Sequence, residues 1–329
     1  MCLAGLGHFT YSRCSRAIKA DTVFDLASVT KVVATTAACK LLYDRGVFEL
    51  DQPIEKVLPE FSQLVPDPRR ALVTYRMLLA HSSGLPAYIK LFQTATTPAD
   101  LMAQAFAVPL TADPGSRAEY SDIGFILLGE ALQRITGQPL DQFCHREIFQ
   151  PLGMASCRYL PAPDQKRLIP PTEKDRTFRH RLVQGEVNDE NAYVLGGVAG
   201  HAGCFACAED VALFAECMLR GGSLQNQPQN LLIQPHTVEM FTRCEPSPAG
   251  TSRALGWDTP SAQSSSGKYF STSSFGHLGY TGTSLWIDPE RKLSVTLLTN
   301  RTWPDRGSQA IKQIRPAFHD AVFEVFTPK

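Results

Sequence analysis

The chain of 329 residues carries 32 Lys+Arg against 32 Asp+Glu, a formal net charge of zero, and it is long enough to bury a large core in one domain or two lobes. That balance excludes a global electrostatic case for nucleic acid or an anionic membrane, and with no apolar run of about 18 residues no bilayer-spanning helix is expected. The nine cysteines follow no framework spacing, and the Cys204-x-x-Cys207 pair lacks a second pair to complete a zinc site. They are expected to be buried small hydrophobes in a reduced compartment.

In chain order, a weak strand signal near the N-terminus precedes a first helix from Ser28 to about Arg45, ended by Gly46. Its apolar residues run around much of its circumference, the pattern of a central buried helix. From about 70 to 155 the chain reads as mostly helical. Thr74 caps "YRMLLAH", Pro98 opens "TPADLMAQAFA", Gly137 closes the amphipathic "SDIGFILLGEALQRITG", and Pro151 stops "PLDQFCHREIFQ". Residues 161 to 190 are polar, proline-bearing and aperiodic, which predicts a long surface excursion. "SLWIDPERKLSVTLLTN" (284–300) holds two β-rich runs joined by Asp-Pro-Glu-Arg, a hairpin signal, and "SQAIKQIRPAFHDAVFEVF" closes the chain as a helix. The order predicts a mixed α/β fold: an α/β lobe from both termini (1–60 plus 190–329) with a mainly helical lobe (61–189) inserted.

Three stretches carry candidate chemistry. In "FDLASVTKVVATT", Ser28 and Lys31 share a helix face, with Cβ atoms about 5–6 Å apart, so an amine can reach the hydroxyl. At a helix start Ser28 also meets unpaired backbone N–H groups and the positive dipole end, which stabilise an oxyanion. The same field with partial burial is expected to lower the lysine pKa toward that of a base. Taken alone, the serine is equally an N-cap and the lysine a surface charge. A second Ser-x-x-Lys, Ser265 to Lys268, lies in a glycine- and serine-rich loop.

In "AEYSDIGF", Tyr120 on the turn before a helix can shuttle protons where nearby cations favour its phenolate. It can also be a half-buried aromatic beside an Asp122 N-cap. In "FGHLGYTGTSLWIDP", His277, Gly279 and Gly282 precede the hairpin. Glycines beside a strand let a substrate backbone approach and leave strand N–H groups free to donate, and His277 suits binding a carboxylate or orienting its neighbours. The competing His201-x-Gly203 leads into a helix instead and is expected to structure its loop.

The order Ser-x-x-Lys, Tyr-Ser-x, His-x-Gly before a hairpin resembles the serine hydrolases of the class C β-lactamase and D-alanyl-D-alanine carboxypeptidase family. "LLAHSSGLP", "PLGM" and "GEVNDENAYVLGGVAGHAGCF" extend the likeness over roughly residues 20 to 305, toward a subfamily of carboxypeptidases and peptidoglycan-recycling amidases. The resemblance implies a single β-lactamase/transpeptidase-like domain over 1–329, with an antiparallel sheet from both termini flanked by helices and no cofactor or metal. It further implies Ser28 as the acylated nucleophile, Lys31 as the aid to its deprotonation, and Tyr120 as the relay to the leaving group and then from water. His277 opens the third motif, the backbone N–H groups of Ser28 and Tyr280 form the oxyanion hole, and Asp122 and Gly279 contact substrate.

Three positions depart from that pattern. Asp122 stands where the β-lactamases carry asparagine, and an ionised carboxylate cannot donate to an acylamide carbonyl, which counts against β-lactam hydrolysis as the main activity. Leu278 replaces a threonine whose hydroxyl can hold a carboxylate. Asn188 stands where the related subfamily has histidine.

The expected activity is therefore acyl-enzyme hydrolysis of an amide or ester in a small molecule or peptidoglycan-derived peptide. Short-chain ester hydrolysis and weak β-lactam hydrolysis are the alternatives. Two readings of other classes compete: a non-catalytic binding protein on the same fold, and a metallohydrolase using His180, Asp189, Glu190 and His201, whose spacing matches no compact ligand motif. No nucleic-acid partner is expected, and the oligomeric state is not legible. "MCLAGLGHFTYSRC" is not a recognisable signal peptide, so the protein reads as cytoplasmic as sequenced, and as periplasmic or exported if its natural start lies further upstream.

Overall fold

The computed structural model describes residues 1–224, 227–262 and 264–326. In one antiparallel sheet, Cys204–Ala206 pairs on one side with Phe24–Asp25 and on the other with Arg158–Tyr159. In a second, Ser284–Asp288 lies between Phe275–Leu278 and Leu293–Leu297. Side chains alternate across that central strand as the period of two requires. Leu285 and Ile287 join the main core with Phe275 and Phe214, while Trp286 joins a separate cluster with Phe270, Val295 and Phe323. The helix Ala208–Leu219 covers the first face, and Phe323 of the helix Ile311–Phe326 sits in the cluster on the second. The predicted 284–300 hairpin is present, its turn held by Asp288 Oδ1 accepting from Arg291 N at 3.0 Å.

The first helix differs from its prediction. The chain is helical from Ala27 to Asp44, but as a 3-10 turn (Ala27–Val29), wide i→i+5 turns (Lys31–Thr36) and regular α-helix only over Ala37–Asp44. Such widened turns are frequent at functional sites. Their partners are distant in sequence: Thr30 Oγ1 accepts from Cys204 N at 3.1 Å, and Thr35 Oγ1 donates to Gly200 O at 2.7 Å. Ala27 has φ 47°, a left-handed conformation that costs a non-glycine residue about 1–2 kcal/mol. The bond from its N–H to Asp25 Oδ1, 2.8 Å, holds it there. The apolar side chains of this segment are fully buried, which the all-round pattern implied.

The middle of the chain is helical as expected. Thr74, Thr97 and Ser121 cap Tyr75–Leu79, Pro98–Phe106 and Asp122–Thr136 by accepting from the backbone N–H groups three residues on, and Gly137, at φ 68°, ends the last. The cap of Asp122–Thr136 is thus Ser121 rather than Asp122. Gly129 of this helix passes directly against Gly200, where a Cβ on either would meet the other's backbone within 3 Å. That contact carries the 200–204 loop over the Lys31–Thr36 turns.

Residues 161 to 190 are not a surface excursion. They contain the hairpin Glu173–Asp175 with Arg181–Val183 and lead into the helix Glu190–Val194, and they bury Thr172, Glu173, Asp175, Asn188 and Glu190. The polar composition is misleading because its groups are satisfied within the protein. Asp175 accepts from the N–H groups of Thr177, Phe178 and Arg179. Asn188 N donates to Asp25 Oδ2 at 2.7 Å, and its Nδ2 to Glu173 Oε2 at 3.1 Å. The cysteine expectation also needs correcting: six are buried thiols, Cys204 and Cys207 among them, but Cys2, Cys14 and Cys244 are exposed.

Candidate active site

The 3-10 turn Ala27–Val29 and the widened turns that follow it bring Ser28 and Lys31 together. Lys31, fully buried, donates from Nζ to Ser28 Oγ at 2.9 Å, to Asp122 Oδ1 at 2.6 Å and to His201 O at 3.0 Å. Ser121 brings Asp122 there by accepting from Gly124 N and donating to Pro86 O, while Asp122 N donates to Ala87 O. The carboxylate then sits at a helix N-terminus, where the dipole favours it. His201 is fixed by its Nε2, 2.8 Å from Asp189 Oδ1, the same oxygen that accepts from Ala192 N.

The electrostatics overturn the expected lysine. Burial alone pulls Lys31 down, but Asp122 and Tyr120 push harder the other way, and its pKa lies above the ordinary lysine value. The resting pair is an ammonium against a carboxylate. For Tyr120 the nearby cation does not win the phenolate: burial raises its pKa and outweighs the opposing pull of Lys31, so the phenol stays neutral beside Lys31 and Ser28.

His277 lies buried in Phe275–Leu278, its ring 5.9 Å from that of Tyr120. Its Nδ1 donates to Leu278 O at 2.8 Å, and Nε2 has no partner among the described residues. Burial, with Lys31 and Arg253 nearby, holds its pKa well below the ordinary histidine value. His277 is therefore a neutral imidazole presenting an acceptor, which does not suit the expected carboxylate contact.

Gly279 is not free for substrate either. Its N–H donates to Thr283 O at 2.7 Å, and a Cβ there would collide with Thr283 Oγ1 and Leu26 O. The glycine is needed because the turn after His277 lies against the turn before Ser28. Thr281 and Thr283 donate to Asp25 O and Leu26 O, and Arg315 donates to the Gly279 and Thr283 carbonyls. The N–H groups of Ser28 and Tyr280 have no acceptor among the described residues.

The other candidates separate. Lys268 is exposed and leans on the Tyr269 ring, away from Ser265. His180 is exposed and Glu190 pairs with Arg306, so only Asp189 and His201 of the four metal candidates meet; no cluster of metal-ligating side chains occurs among the described residues. Two residues were not singled out from the sequence. His81, in the "LLAHSSGLP" stretch, accepts at Nδ1 from Ser121 N and sets its ring 4.6 Å from Tyr120. Arg253 places its guanidinium carbon 5.5 Å from the same ring; it lies in an aperiodic loop that carries no signal. Beside the site, a cavity of about 630 Å³ is lined by Tyr88, Phe92, Phe178, Glu190 and Arg306, among others.

A mixed helical and antiparallel architecture in which a serine, a lysine and a tyrosine from separate elements meet is the build of the serine β-lactamases and penicillin-binding proteins. The family model described as Beta-lactamase matches residues 5–317, and the chain belongs to that family. It is 34% identical over 312 residues to an N-acetylmuramyl-L-alanine amidase of Bacillus subtilis, covering 86% of this chain and 69% of that one. It is 32% identical over 308 residues to a protein of Escherichia coli named as a D-alanyl-D-alanine carboxypeptidase, covering 85% and 69%. Among solved structures, a penicillin-binding protein homologue from Caulobacter crescentus shares the fold with a TM-score of 0.71 at 19% identity, over 95% of this chain and 87% of that one. The family and the relatives' names indicate hydrolase activity of the serine β-lactamase kind. No helix among the described residues is long and apolar enough to cross a membrane.

Proposed function

We propose that the protein hydrolyses an amide or ester bond through an acyl-enzyme on Ser28, with a peptidoglycan-derived peptide as substrate. The observation that carries this is the buried Lys31, whose Nζ touches Ser28 Oγ, Asp122 Oδ1 and His201 O at once. When Ser28 Oγ attacks the carbonyl, its proton passes to Lys31 while Lys31 hands one to Asp122. Tyr120, a neutral phenol, gives its proton to the leaving nitrogen or oxygen. Water then attacks the acyl-enzyme, the Tyr120 phenolate takes the water's proton, and Ser28 recovers its own from the Lys31–Asp122 pair. The unpartnered N–H groups of Ser28 and Tyr280 serve the oxyanion.

The substrate class draws on the names of the amidase and carboxypeptidase relatives. With Asp122 committed to Lys31 and unable to donate to an acylamide, β-lactams are expected to be turned over poorly. Assaying the purified protein against a muramyl-L-alanine peptide, a D-Ala-D-Ala peptide, p-nitrophenyl acetate and a cephalosporin tests this. Release of an amino acid or peptide is the expected result; turnover of the acetate or the cephalosporin alone would overturn the substrate class. No Ser28-dependent turnover of any of the four would favour a binding protein on the same fold.

A further inference from the structure

Two cations face the Tyr120 ring among the described residues, Lys31 Nζ at 5.0 Å and the Arg253 guanidinium carbon at 5.5 Å. Lys31 is spent on Ser28, Asp122 and His201. The strand Phe275–Leu278 adds no positive charge: His277 shows only an acceptor nitrogen, and Leu278 has no hydroxyl. Arg253 is differently placed. Its side chain is 24% exposed, and its ion-pair partner Asp258 is 3.7 Å away and already accepts from Ser252 Oγ at 2.7 Å. It is also held against the strand that carries His277, because Arg253 bridges to Asp258 and Asp258 pairs through both backbone groups with Gly276. The result is a weakly paired guanidinium, reachable from solvent, on the Tyr120 side of the nucleophile.

We propose that Arg253 binds a carboxylate on the leaving-group half of the substrate, supplying the charge that His277 and Leu278 do not. This rests on the assignment of Ser28 as nucleophile and of Tyr120 as proton donor to the leaving group. A planar guanidinium can take a carboxylate through two parallel N–H bonds, a stronger contact than one neutral hydrogen bond. It selects substrates whose departing amine or alcohol carries an acid, such as a C-terminal amino acid.

The test compares two esters that differ in one group, 3-carboxyphenyl acetate and phenyl acetate. Wild-type protein is expected to prefer the carboxylated ester in kcat/KM, mainly through KM, and to lose that preference as salt is added. Arg253→Gln is expected to reduce the ratio of the two kcat/KM values by about 10–100-fold, and Arg253→Lys to restore part of it. Because the readout is a ratio, a general loss of folded protein cancels. Equal handling of the two esters by wild-type protein, or an unchanged ratio in Arg253→Gln, would overturn the assignment while Ser28-dependent cleavage of phenyl acetate persists. If neither ester nor a fluorophosphonate reacts at Ser28, the nucleophile assignment fails, and this one with it.

Discussion

Asp122 decides what kind of group Lys31 is. An asparagine at that position donates to a substrate and leaves the lysine to be lowered by burial. The aspartate instead draws the ammonium into a 2.6 Å ion pair and raises its pKa. If the proton of Ser28 must pass through that pair, Asp122→Asn is expected to lower kcat by about 100-fold or more, the usual scale of an acid–base group. Steady-state rates on the best substrate of the panel measure it, and a variant with the wild-type rate would show that Asp122 only binds. The spacing of Ser28 and Lys31 was legible in sequence because one helical turn is a local rule. The direction of the lysine's shift was not, since it depends on a carboxylate 91 positions away. For the same reason His81 and Arg253 went unseen: each reaches Tyr120 through loops without period.

Among the elements, the turn ahead of Ser28 holds a second buried carboxylate. Asp25 accepts from Ala27 N and Asn188 N, yet burial outweighs both bonds and raises its pKa to about 6. The sign follows from linkage. The folded protein keeps this proton to a higher pH than the unfolded chain, so stability is lost as pH rises from about 3 to about 7, by roughly 3 kcal/mol. Denaturant unfolding across that range should show the decline in wild-type protein and a flatter profile in Asp25→Asn; parallel profiles would contradict it. The capped helices and the 284–300 hairpin were legible because caps, prolines and alternation are local signals. Residues 161 to 190 were not, because Asp175 and Asn188 satisfy polar groups inside the protein and so mimic a solvated loop.

For the molecule as a whole, the two ends of the chain meet at the site. The turn before Ser28 is held by Thr281 and Thr283, and Thr283 in turn by Arg315 of the last helix. The mixed order of strands and helices made that architecture legible, but not its costs. Lys40 is fully buried in the main core, its Nζ 3.4 Å from Met218 Sδ and 5.2 Å from the Trp257 ring, and burial lowers its pKa to about 7. The unfolded chain holds this proton more tightly, so wild-type stability is expected to rise between about pH 7 and pH 10, by on the order of 4 kcal/mol. Lys40→Met should raise Tm near pH 7 and abolish that rise; a lower Tm would show the amine to be better accommodated than burial implies. The proposed chemistry stands on acylation of Ser28 with the help of Lys31. Intact-mass and peptide-mapping spectrometry after incubation with a fluorophosphonate tests it most directly. A single adduct on Ser28 is expected, with much slower labelling in Lys31→Ala. No adduct, an adduct at another residue, or equal labelling in Lys31→Ala would contradict it.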